Sequence, residues 1–324
     1  MKNNKETELI KGSEIIPRDV EWLWYPYIPY GKITIIQGDP GEGKSTFALN
    51  LAAMLTKGTS PPFSDGEIEP MNVIYQNTED DAEDTVIPRF INAGGDTDRI
   101  FFIDEKESAL TFSDAERIES AIKECNAKLI IFDPLTSYIG SDVAINQANE
   151  VRSRFNYLIE VAKKTKCAII IVSHMNKMSG TKAIYRTLGS IDIVGSARSC
   201  LVIGTSKDDP DIKIMAVQKS NLAEKGAAIQ FEINDGKVDW LGTVDVTADD
   251  LLGAFSSSAG KKANSKTALA AEVLQEMLDS GAKSQREVMA RMKELGISNR
   301  TAEIAKAELG IKSVKQGNHW TWEL

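Results

Sequence analysis

Several classes of protein are excluded by what this 324-residue sequence lacks. Its three cysteines, Cys125, Cys167 and Cys200, are dispersed and form no Cys-x-x-Cys pair, so neither a disulfide scaffold nor a zinc or dithiol site is expected. Free thiols, two of them inside apolar runs, fit a reducing compartment, and the expectation is a cytoplasmic protein. No run approaches the roughly 18–20 apolar residues of a membrane helix, and Met1-Lys2-Asn3-Asn4-Lys5-Glu6 lacks the apolar core of a signal peptide. Nor is there an overall excess of positive charge, since 38 Lys and Arg face 47 Asp and Glu. What is present is ordinary for a globular chain: 42% hydrophobic and 7% aromatic residues, with length for one large domain and a small one.

The charge is unevenly spread. Residues 261–324 carry 11 basic and 8 acidic side chains, a balance of +3, and the rest of the chain stands at −12. The stretch 253–264, rich in Gly and Ser and poor in apolar side chains, reads as a flexible linker between a body at 1–252 and a tail domain at 265–324. Within the body, apolar runs at 33–37, 71–76, 100–103, 128–132 and 168–173 predict strands. They alternate with predicted helices at 44–55, 82–91, 113–125 and 147–164. That alternation predicts an α/β fold with a mainly parallel sheet. Short runs at 199–204, 213–219, 227–234 and 237–241 predict an antiparallel extension of it.

Gly38-Asp39-Pro40-Gly41-Glu42-Gly43-Lys44-Ser45 matches the Walker A spacing and lies between a predicted strand and a predicted helix. Its glycines let the backbone curl so that N–H groups and a helix N-terminus face phosphates, with Thr46 next in line. Lys44 supplies a cation to the β- and γ-phosphates and Ser45 a hydroxyl to Mg²⁺, which makes ATP and Mg²⁺ the expected cofactors. Asp39 and Glu42 are expected to point outwards. The run Lys128-Leu129-Ile130-Ile131-Phe132-Asp133 has the form of Walker B, with Asp133 as a metal ligand beside Ser45. Pro134 follows where a base would otherwise stand, so the carboxylate that activates water is sought elsewhere. Glu79, nearest the end of the strand at 71–76, is the candidate, while Asp80, Asp81, Glu83 and Asp84 are read mainly as caps of the next helix. His174, ending the strand at 168–173, is placed to sense the γ-phosphate.

With these pieces in chain order, residues 20–235 resemble RecA-like ATPases of the group that holds RepA-type hexameric replicative helicases and many phage and prophage helicase-like ATPases. The resemblance rests on Trp22-Leu23-Trp24, Pro26-Tyr27-Ile28-Pro29, the Walker A loop, Glu79-Asp80, Asp133, Ser173-His174-Met175-Asn176-Lys177, Gly189-Ser190 and Gly195-Ser196-Ala197-Arg198. It implies a glutamate base at Glu79, a phosphate sensor at His174 and a homo-oligomeric, hexameric ring with each nucleotide between subunits. It also implies a basic group acting from the neighbouring subunit, at Arg198 or Lys219, and a channel loop touching single-stranded DNA through Lys182 and Arg186.

The tail predicts three short helices and a hairpin at 311–315 and 319–323, an arrangement that resembles a winged helix-turn-helix domain. That resemblance implies contact with double-stranded DNA through Arg300, Lys306 and Lys315. The functional expectation is an ATP-hydrolysing DNA-replication motor, helicase or helicase-like, acting with other replication proteins. The alternative is a regulatory or loader-type ATPase whose tail binds duplex DNA or a protein. A metabolic kinase leaves the tail unexplained and lacks an acceptor lid.

Overall fold

A computed structural model describes residues 9–64, 66–140, 143, 148–175, 191–207 and 209–252. In the tail it describes 273–275, 277–278, 281–294, 302, 305–306, 309, 311–316 and 319–323. The chain divides into two compact units, Met1–Leu252 and Gly253–Leu324.

The first unit opens with a small antiparallel pair, β1 (Trp22–Trp24) and β2 (Ile28–Pro29). The remaining strands form one nine-stranded sheet. Its parallel part holds β3 (Ile33–Gly38), β4 (Val73–Asn77), β5 (Ile100–Phe101), β6 (Leu129–Asp133), β7 (Ala168–His174) and β8 (Ser199–Thr205). The antiparallel part adds β9 (Ile212–Ser220), β10 (Ala228–Asn234) and β11 (Lys237–Val244). The strand order is β11-β10-β9-β8-β3-β7-β6-β4-β5, which puts β3 and the loop after it in the middle. This α/β arrangement, a mostly parallel central sheet with antiparallel strands beside it, is that of a RecA-like P-loop core.

Sequence patterning explains the two halves. Every residue of β3 and β6 is buried, as expected of strands covered on both faces, and their side chains form near-continuous apolar runs. By contrast β11 alternates half-buried and exposed positions, the period-two pattern of a strand with one wet face. One face is covered by α1 (Lys44–Thr56), whose Phe47 packs among Trp24, Phe231 and Trp240. Ten of its side chains are buried because the sheet lies on one side and the β10–β11 hairpin on another. Asn50 fixes that hairpin, donating to the Gly236 carbonyl at 2.9 Å and accepting from the Val238 N–H at 3.0 Å. The other face is covered by α3 (Ala115–Glu124) and α5 (Ala148–Thr165), around Phe112, Phe132, Tyr138 and Phe155.

Two predicted elements differ from what is found. The helix expected at 82–91 is a wide turn over Ala82–Val86 followed by α2 (Ile87–Asn92). Pro88 has no N–H to donate and breaks the regular ladder there. The strand expected at 100–103 stops at Phe101 because the Gln76 side chain takes over. Its Oε1 accepts the Ile103 N–H at 2.6 Å and its Nε2 donates to the Ile103 carbonyl at 3.3 Å. Two short helices, α4 (Leu135–Tyr138) and α6 (Ile191–Ser196), follow β6 and precede β8.

The second unit contains β12 (Lys283–Ser284), α7 (Gln285–Glu294), β13 (Lys312–Gln316) and β14 (His319–Glu323). The hairpin β13–β14 was expected, whereas β12, which pairs antiparallel with β14, was not. Ser284 caps α7 by accepting the Glu287 N–H at 3.2 Å. Leu274, Leu278, Val288, Met292, Ala302, Ala305, Ile311 and Trp322 form its core. The expected linker at 253–264 lies outside the described residues, as do Lys182, Arg186 and Arg300. No helix among the described residues is long and apolar enough to cross a membrane.

Candidate functional site: a phosphate-binding loop with its carboxylates

The loop after β3 has the conformation its glycines predict. Gly41 and Gly43 hold φ of 84° and 83°, a region closed to most L-residues, and no atom lies within 4 Å of where a Cβ on Gly41 would sit. A Cβ on Gly38 would stand 2.2 Å from the Ile203 carbonyl oxygen, so β8 admits only glycine there. A Cβ on Gly43 would meet Ile233 of β10 at 2.3 Å. The loop is therefore closely packed at Gly38 and Gly43 and open at Gly41.

Sheet register gathers the partners. Gly38 pairs with His174 and Asn77 pairs with Asp133, so the ends of β3, β7, β4 and β6 meet along one edge. Lys44, 4% exposed, donates to the Asp39 carbonyl at 2.8 Å. Burial lowers its affinity for the proton, while Asp133, Glu42, Asp39 and Glu79 oppose that change. Asp133, 2% exposed, is raised above the usual carboxylate range by burial, and hydrogen bonds from Ser45 and Tyr75 partly offset this. His174 is lowered by burial and by Lys44, which favours the neutral ring, and its Nδ1 is buried without a hydrogen-bond partner. An orphaned ring nitrogen and an open glycine turn beside a buried lysine make a place shaped for an anion. Ser45 and Asp133 offer hard oxygen ligands, the donor set suited to Mg²⁺ completed by substrate phosphates.

Glu79 stands on the turn after β4. Asn77 Oδ1 accepts the N–H groups of Glu79 at 2.7 Å and Asp80 at 2.9 Å, which fixes that turn. The Glu79 charge is felt at Lys44, Asp133 and His174, so it shares their edge. Of its neighbours, Asp81 accepts the Glu83 N–H at 2.8 Å as a helix cap. Asp80 does something else, pairing with Arg89 at 2.8 Å.

Glu42 corrects an expectation. Its carboxylate does not stand free in solvent: it accepts from Thr205 at 2.6 Å and pairs with Lys213 at 3.3 Å, at 12% side-chain exposure. Those partners come from β8 and β9, more than 160 residues later, so no local pattern announces them.

Arg198 and Lys219 lie elsewhere. The Arg198 N–H donates to Ile33, at the start of β3, and Lys219 pairs across the sheet with Cys200. Arg198 is exposed. Lys219 donates to the carbonyls of Val194 at 2.6 Å, Ala197 at 2.8 Å and Gly195 at 3.2 Å, closing the end of α6. In the second unit Lys306 is likewise engaged, 2.6 Å from Ser313 Oγ and 4.4 Å above the Trp322 ring. Lys315 pairs with Trp320 across the β13–β14 hairpin. The cysteines are packing residues: Cys167 and Cys200 are buried, and burial pushes the Cys200 thiol up to about 12.

Tyr75 escaped sequence reasoning. Fully buried on β4, it donates its phenol to Asp133 Oδ2 at 3.0 Å. A tyrosine in an apolar strand reads as core, and only the Asp133 register partner two residues on hinted at more.

Comparison with known proteins agrees with this geometry. A family model described as AAA domain matches residues 5–180, a stretch that includes the loop, Glu79, Asp133 and His174 and ends before Arg198. DNA repair protein RadA of Halalkalibacterium halodurans is 27% identical over 192 residues, 58% of this chain and 35% of that protein. RadA of Bacillus subtilis is 28% identical over 149 residues, 45% of this chain and 28% of that one. The aligned stretches thus span about a third of the length of these curated relatives. A KaiC-like protein from Pyrococcus horikoshii OT3 superposes with a TM-score of 0.49 at 16% identity, over 66% of this chain and 91% of that one. The phosphate loop, its carboxylates and the matched family together make this chain a member of the AAA domain family, with a RecA-like P-loop ATPase core.

Proposed function

We propose that this chain hydrolyses ATP with Mg²⁺ and couples hydrolysis to work on DNA as a ring of identical subunits. The observation that carries the reading is the meeting of Lys44, Ser45, Asp133, Glu79 and His174 at one sheet edge. In the proposed reaction Glu79 takes a proton from a water whose oxygen attacks the γ-phosphorus, the bond to the β–γ bridging oxygen breaks, and ADP carries that oxygen away. Lys44 and the backbone N–H groups of 41–46 would hold the phosphates, and Ser45 and Asp133 would hold the cation. Mg²⁺, when bound, would supply charge neutralisation on the phosphate oxygens. His174, whose burial favours the neutral ring and whose Nδ1 has no partner, is the proposed sensor of the γ-phosphate. Asp39, Pro40, Gly41, Glu42, Gly43 and Thr46 complete the loop.

The similarity to proteins named for DNA repair supports DNA as the partner. Within that reading we favour a helicase-like motor of the RepA type on single-stranded DNA, with Arg198 acting on the neighbour's nucleotide. The second unit, read as a winged helix-turn-helix domain, would then bind duplex DNA. A second reading, a loader or regulatory ATPase whose tail holds a protein, is favoured by one observation: Lys306, a chosen DNA contact, is tied to Ser313 and Trp322.

The test is steady-state ATP hydrolysis with and without single-stranded DNA, on a sample whose mass is read by light scattering. A hexamer-sized particle stimulated by single strands supports the motor. A particle whose turnover ignores single strands supports the loader, and absence of ATP hydrolysis under both conditions overturns the reading at its root.

A further inference from the structure

Asp133 is held by more than its place on β6. Its carboxylate, 2% exposed, lies near the Ser45 hydroxyl and accepts from the Tyr75 phenol, 3.0 Å from Oδ2. Tyr75 is itself enclosed in the core, at 1% exposure, so its phenol has a fixed place beside that carboxylate.

We propose that Tyr75 is a positioning residue for the divalent cation: its phenol pins Oδ2 of Asp133, so that the other carboxylate oxygen is the one left to the metal. The physical case is one of orientation. A buried aspartate can rotate about its last bond, and a carboxylate that rotates presents either oxygen or neither to a small cation with strict geometry. Tyrosine supplies a rigid donor from the neighbouring strand, where phenylalanine would fill the same space and donate nothing. The phenol also offsets part of the burial cost of a charge that must stay ionised to bind metal. Residues that orient a metal ligand typically change metal affinity about 10–100-fold when removed.

This inference rests on the proposed nucleotide site, and the experiment separates the two. Binding of a fluorescent ADP analogue is titrated against Mg²⁺, and Mn²⁺ binding to the ADP complex is followed by electron paramagnetic resonance. Wild type, Tyr75→Phe, Asp133→Asn and the double variant are compared. Tyr75→Phe is expected to bind nucleotide without metal within about twofold of wild type, yet to need at least about tenfold more cation. If the phenol acts through Asp133, the double variant needs no more cation than Asp133→Asn alone. A cation midpoint unchanged by Tyr75→Phe, or effects that simply multiply in the double variant, overturns the role. Wild type that binds no nucleotide with or without cation would instead overturn the reading of the site itself.

Discussion

The two edges of one sheet are built differently. At the carboxyl edge Lys44, Asp133, Tyr75 and His174 are buried or half-buried, and the shifts in their proton affinities are driven first by burial. At the amino edge Arg198 is exposed, and Lys219 spends its ammonium on three carbonyls at the end of α6. Arg198 is level with Ile33, five residues before Gly38, which at roughly 3.3 Å per residue is about 17 Å from the loop. Arg198 therefore stands about a strand's length from the phosphate loop of its own protomer. The site of one chain gathers the proposed base, the proposed metal carboxylate and the phosphate cradle, and Arg89, which lines the pocket beside Ser45 and Thr46, is paired with Asp80. In the proposed ring, Arg198 would act from the amino edge of one protomer on the nucleotide of the next.

The largest effect should come from breaking that division. Arg198→Ala is expected to lower ATP turnover by about 10³-fold while leaving nucleotide affinity nearly intact, since the guanidinium matters only as charge develops on the transferred phosphoryl. Mixed with wild type, it should depress activity below simple dilution, and strict proportionality would remove Arg198 from the neighbour's site. Next in size, Glu79→Gln should cost roughly 10²-fold or more in turnover and keep ATP binding. Turnover at the wild-type rate in a single-turnover assay would move the base elsewhere.

Lys219→Ala sharpens the contrast between the two amino-edge cations. If its work is the closure of α6, the variant should lose about 1–2 kcal/mol of stability to urea and little turnover per folded protein. A normal unfolding midpoint with a collapsed turnover would exchange the roles of Lys219 and Arg198.

What the sequence revealed and what it hid follow from range. The loop, Asp133 and the strands that carry them were legible because phosphate chemistry fixes the residue types and spacing, and buried parallel strands read as apolar runs. Glu79 could be singled out because it follows a strand end. The partners of Glu42, the closure of α6 by Lys219 and the Tyr75–Asp133 bond were hidden, since each joins residues 22 to 171 positions apart. The truncation of β5 was hidden for another reason: Gln76 reads as an ordinary strand residue, yet its amide replaces two ladder bonds. Composition showed that the tail was a separate unit by charge but not the strand β12, whose two residues are too few for a periodic signal.

The smallest effect expected is electrostatic and belongs to the carboxyl edge. His174 titrates below its ordinary value of 6.5, first because it is partly buried and then because Lys44 lies near, with Glu79 and Asp133 pulling the other way. In the unfolded chain the ring takes its proton at the ordinary value, and in the folded chain it resists to lower pH. Between those two values the unfolded state binds more protons, so His174 withdraws stability as the pH falls through that window and withdraws none above it. His174→Gln keeps a polar side chain without the titration. Urea midpoints at about pH 7.5 and about pH 5.5 should therefore fall further for wild type than for the variant, both free of nucleotide. Parallel losses would mean that the ring takes its proton alike in the folded and unfolded chain, and a smaller loss in wild type than in the variant would mean that the folded ring holds its proton more tightly, which would remove the neutral imidazole assigned to the γ-phosphate position.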